Sequence, residues 1–132
     1  MVVVMDYCKD TLATEISERL NQSYFYDESE IWYALERIMM VENDLTKNYG
    51  RVHGDMQPDN IIVPDDESIK FIDPTLIHFK MNGFMRTRLG METAPLSPEQ
   101  MSALRSNRDP TGDQQASEVW SIGMLIGKAK KL

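Results

Sequence analysis

The sequence predicts an α+β fold that is mainly α and carries one small β-hairpin. Three observations support this. Behind Asp27 and Glu30, the residues Ile31, Leu35, Ile38, Met39, Glu42 and Leu45 trace a mostly apolar stripe at helical spacing. Residues 117–126 make a second apolar helical run. Between the two lie short apolar runs, Ile61-Ile62-Val63 and Ile69-Lys70-Phe71-Ile72, joined by the turn-forming Pro64-Asp65-Asp66-Glu67.

A chain of 132 residues allows one domain with a modest core. Its net charge of −7 argues against nucleic acid and against an anionic membrane surface as primary partners. A single cysteine, Cys8, excludes an internal disulfide and fits a reducing, intracellular and cytoplasmic setting. No apolar run approaches a membrane span, and residues 1–5 are too short for a signal peptide. The ten methionines read as adaptable core packing.

Taken in order, residues 2–5 are a β-branched run expected to form a buried strand, broken by Asp6-Tyr7-Cys8-Lys9-Asp10. A buried strand so early suggests a neighbour outside the chain. Thr11 is placed to cap a short helix with Leu12, Ile16 and Leu20 on one face, ended by Asn21-Gln22-Ser23. Asp27 and Glu30 form a capping-box pattern for the longest helix, where Trp32 and Tyr33 are expected to add packing bulk. Gly50 supplies its left-handed cap. Ser97, Pro98 and Gln100 spell another helix start: cap, first helical residue and capping-box partner. Residues 106–115 are a polar loop, and lysines near the C-terminal end of the final helix complement its dipole.

The chemistry concentrates between residues 52 and 73. His53, Asp55 and Asn60 follow the spacing H-x-D-x-x-x-x-N, which sets a carboxylate and an amide on one tight loop. The first apolar strand leaves this loop, and the second returns antiparallel to deliver Asp73 beside Asn60. An amide and a carboxylate so placed suit Mg²⁺, which prefers oxygen ligands and takes few from the protein.

This loop resembles the catalytic loop of protein kinases, H-R-D-x-x-x-x-N, followed by the D-F-G position. The resemblance implies that Asp55 is the catalytic base and that Asn60 and Asp73 are the metal ligands. It makes His53 a structural brace for the loop. It places Asp6, Tyr7 and Cys8 at the hinge, whose backbone binds the adenine of ATP. Gln57 falls in the cofactor-facing position usually held by a lysine. Ser97-Pro98-Glu99 resembles A-P-E, and Ser117-Glu118-Val119-Trp120-Ser121-Ile122-Gly123 resembles the start of the central large-lobe helix. There Glu118 stands for the aspartate that supports the catalytic-loop backbone.

The resemblance therefore identifies residues 1–132 as a single incomplete kinase-like domain. It comprises the hinge strand, two helices, the catalytic loop, an activation segment over residues 76–95 and the start of the central helix. The glycine-rich loop and the strand lysine with its helix glutamate have no counterpart.

The departures bear on activity. Gly54 replaces the arginine that pairs with a phosphorylated activation loop, and Gln57 cannot supply a lysine's charge. Pro74-Thr75 stiffens the D-F-G position. Arg86, Thr87, Arg88 and Thr93 fall in the activation segment, where the hydroxyls are candidate phosphorylation sites. Glu99 lacks the later-helix arginine that buries its counterpart.

The implied function is that of a catalytically impaired pseudokinase, acting as a binding or structural module with protein partners in a larger assembly. One alternative is a fragment of an active ATP- and Mg²⁺-dependent Ser/Thr kinase. A third reading, suggested by His53-Gly54-Asp55, is a small-molecule phosphotransferase of the aminoglycoside or choline kinase type.

Overall fold

A computed structural model describes residues 2, 4–64, 68–72, 96–108 and 113–130. It is mainly helical with one two-stranded antiparallel sheet. The helices are α1 (Leu12–Asn21), α2 (Glu28–Tyr49), α3 (Pro98–Arg105) and α4 (Gln114–Lys130), and the strands are β1 (Ile61–Ile62) and β2 (Lys70–Phe71). Asp73, Pro74, the segment 76–95 with Arg86, Thr87, Arg88 and Thr93, and the turn at 65–67 lie outside the described residues.

Local chemistry starts each of the first three helices. The Thr11 hydroxyl accepts from the Thr14 N–H at 3.2 Å, and the Thr14 hydroxyl oxygen accepts from the Thr11 N–H at 3.0 Å. This closes a capping box with a threonine in the return position. Asp27 and Glu30 make the same reciprocal pair at the head of α2, and Ser97 and Gln100 make it for α3. The 22 residues of α2 run about 33 Å and end at Gly50, whose φ of 65° is the left-handed conformation that glycine adopts without penalty.

Arg19 ties α1 to α2. Its guanidinium forks onto both Glu30 carboxylate oxygens at 3.0 and 2.8 Å and stacks over the Tyr26 ring at 3.9 Å. The Arg19 hydrogen bond holds the Glu30 carboxyl below its usual range. A cavity of about 570 Å³ opens beside this pair, lined by Leu12, Tyr26, Ala34, Ile38 and Ile69.

The core gathers Leu12 from α1, Ile38 from α2, Met56 from the loop, Ile61 from β1, and Ile122 and Leu125 from α4. The strands pair in the register Ile61 with Phe71 and Ile62 with Lys70. A bridge from Thr11 to Ile62, and the Val63 N–H donating to the Asp10 carbonyl at 3.2 Å, pin the hairpin to the head of α1. No helix among the described residues is long and apolar enough to cross a membrane.

Several expectations are corrected. Val2 and Val4 are 88% and 92% exposed and lie in no strand. A strand is stable only when a neighbour takes its backbone donors and acceptors, and no described residue does so here. Trp32 is exposed, and Tyr33 lies outside the core with the Arg37 guanidinium 4.9 Å over its ring, because the core-facing stripe of α2 runs through Leu35, Ile38 and Glu42 instead. No correction arises at Glu99, expected to lack the arginine that buries its counterpart and solvated at the head of α3, with its carboxyl held low by its own backbone N–H and the Ser97 hydroxyl. Among the described methionines, Met56 is a core residue while Met5, Met39 and Met40 are exposed.

Candidate catalytic loop

Gly50 turns the chain out of α2, and the next residues plunge inward. Val52, His53, Asp55, Met56, Gln57 and Asn60 are all buried. A polar loop at such depth needs a partner for each hydrogen-bonding group. Met56 anchors it in the apolar core. Gly54, at φ 88°, lets the backbone reverse between His53 and Asp55. Pro58 opens a single 3-10 turn, Pro58–Asn60, whose end runs into β1.

The side chains then converge. The Asn60 amide nitrogen donates both to the Asp55 backbone carbonyl at 2.9 Å and to Asp55 Oδ2 at 2.8 Å. The Gln57 amide donates to the same Oδ2 at 3.1 Å. One carboxylate oxygen of Asp55 is thus held by two neutral amides. Both Asn60 hydrogen bonds use its nitrogen, which leaves its carbonyl oxygen as a hard ligand of the type Mg²⁺ takes.

His53 braces the loop, as expected. Its Nδ1 accepts from the Asp55 N–H at 3.1 Å, and its Nε2 meets the Ile72 carbonyl at 2.7 Å. A carbonyl can only accept, so Nε2 carries the proton and the ring is neutral. Phe71 packs against the imidazole in a T-shaped contact, with centroids 5.5 Å apart. The Ile72 N–H in turn donates to the Asn60 carbonyl at 2.9 Å. The residue before Asp73 is therefore held by both ends of the loop.

From behind, α4 presents Glu118, itself 4% exposed. Its carboxylate accepts from the His53 N–H at 3.1 Å and from the Gly54 N–H at 3.3 Å. The extra methylene relative to aspartate does not prevent this contact. A second carboxyl went unassigned in the sequence: Glu42 of α2, 7% exposed and set against Glu118. The signal was present as the one acid in an apolar stripe. Burial, then the neighbouring Glu42 charge, pushes the Glu118 carboxyl up to about 8, and burial also raises Glu42.

Asp55, Gln57 and Asn60 meet. Asp73 lies outside the described residues. Asp6 and Tyr7 are exposed and Cys8 partly buried, and no hydrogen bond joins them to the loop among the described residues. The large cavity beside Arg19 touches neither Asp55 nor Asn60, so it is separate from this chemistry.

No family model matches the chain. Over 126 residues it is 23% identical to the calcium/calmodulin-dependent protein kinase kinase cmkC of Emericella nidulans. That alignment covers 94% of this chain but 23% of the relative, so the chain spans under a quarter of that protein's length. The likeness is thus a weak one, to a protein kinase.

Proposed function

We propose that this chain is the core of a protein kinase-like large lobe that is impaired in phosphoryl transfer and serves as a binding module within a larger assembly. The observation that carries this reading is the cluster at Asp55. The loop has the carboxylate, the paired asparagine and the buried histidine brace that a catalytic loop needs. Yet the second donor on Asp55 is the neutral Gln57 amide, where a kinase-like site places an ammonium. A neutral amide leaves charge developing on a transferred phosphoryl group unstabilised. The likeness to the Emericella kinase supports the same relationship.

In this reading Asn60 and Asp73 would hold Mg²⁺ and ATP phosphates, with Asp6, Tyr7 and Cys8 at the adenine. Bound Mg²⁺ would neutralise phosphate charge and fix the γ-phosphate. Asp55 would accept the proton of a substrate hydroxyl, with Asn60 orienting its carboxylate. Because Gly54, Gln57 and Pro74-Thr75 all depart from the kinase pattern, the expected rate is at background.

The test is calorimetric titration with Mg·ATP, run beside a phosphate-incorporation assay on a generic protein substrate. No incorporation is expected, and Gln57→Lys should raise it above background. Incorporation by the native chain that disappears in Asp55→Asn would instead support the active Ser/Thr kinase reading, which the intact Asp55–Asn60 pairing favours. Incorporation into an aminoglycoside or choline, and into no protein, would support a small-molecule phosphotransferase.

A further inference from the structure

Two acids on separate helices meet in the interior behind the loop. Glu118 of α4 spends its carboxylate on the His53 and Gly54 N–H groups. Glu42 of α2 is buried beside it; neither of its oxygens completes a hydrogen bond to a protein donor, although the His53 N–H that Glu118 holds is close enough to favour the charged form of Glu42. Two unpartnered buried oxygens are costly, and a like charge alongside makes them costlier. A proton between the two carboxyls removes both penalties. It gives Glu42 a hydrogen-bond partner and leaves a single negative charge to hold the loop.

We propose that Glu42 and Glu118 form a proton-operated clasp: one shared proton joins α2 to α4 and holds the His53–Gly54 backbone in place, and its loss drives the two helices apart. The loop faces the pair with His53 and the His53 and Gly54 N–H donors. Arg51 at the start of the loop makes no ion pair with either acid, nor does any lysine or other arginine among the described residues. Among the described residues, no ion-paired cation therefore offsets a second negative charge.

The pH window follows from the direction of the shift. Glu118 is raised from 4.5 to about 8, so between those values the folded chain binds more protons than the unfolded chain. Stability is then greatest toward the acid end, falls as pH rises through that window, and levels off above it. The usual depressed carboxylate would give the opposite slope.

The clasp does not require the kinase-like reading; only its consequence for nucleotide does. In that case alkaline pH would loosen the loop that carries Asp55 and Asn60. The test is thermal unfolding of the whole chain from pH 5.5 to 8.5, beside Glu42→Gln, whose amide donates to Glu118 at every pH. The melting temperature of the native chain should fall by roughly 5 °C more than that of Glu42→Gln across this range. Amide exchange at His53 and Gly54 should accelerate with pH beyond intrinsic base catalysis in the native chain alone. Should Glu42→Gln fail to fold, Glu118→Gln carries the same comparison. Parallel melting curves for native and variant chains overturn the clasp, whatever the nucleotide assays return. Failure to bind Mg·ATP leaves it standing.

Discussion

Two stretches of this chain reverse the ordinary relation between hydropathy and burial. Residues 52–60 are largely polar yet buried, with His53 at 1% exposure and Asp55 at 4%. Residues 2–5 are apolar, yet Val2, Val4 and Met5 face solvent. The difference is one of partners. His53, Asp55, Gln57 and Asn60 satisfy one another, Glu118 and Ile72, so desolvation is offset bond by bond. The N-terminal run has apolar side chains but no described strand to take its backbone groups. Hydropathy favours burial, but a matching surface has to be present for it to occur.

That contrast can be broken experimentally. The largest effect is expected at the brace. His53→Ala removes a buried ring with two hydrogen bonds and the Phe71 contact, and should cost about 3 kcal/mol in urea unfolding. A cost near zero would mean the loop does not depend on its histidine. Asn60→Ala leaves the Asp55 carboxylate with one fewer donor and should cost about 2 kcal/mol. Asn60→Asp, which places a second carboxyl against Asp55, should do at least as much harm in neutral buffer. Thr11→Ala, at the head of α1 where the hairpin is pinned, loses one cap and should cost about 1 kcal/mol by the same assay. Val4→Ser should change stability by less than about 0.5 kcal/mol, as an exposed position does. A large loss there would show that the N-terminal run is packed in solution.

The part of this architecture legible in the sequence is the part made by near neighbours. Thr11, Asp27 and Ser97 announce helix starts because a cap acts over three residues. Gly50 announces a stop because a left-handed residue is a property of one position. The hairpin and the Asp55–Asn60 pair were readable for the same reason, since five residues separate the two side chains. Trp32 misled because bulk alone does not say which side of a helix meets the core. Glu42 was visible as an oddity, but its meaning depended on a residue in another helix.

Amino-acid order alone thus determined where helices begin, which short apolar runs pair as strands and which polar groups share the loop, because those interactions close within a short stretch of chain. Three-dimensional packing decided the rest. Only the fold brings Glu118, 65 positions along the chain, under the His53 N–H, and only there does Glu42 meet it. A carboxyl's charge and hydrogen bonds depend on what surrounds it in space, and that environment is set by how whole helices pack.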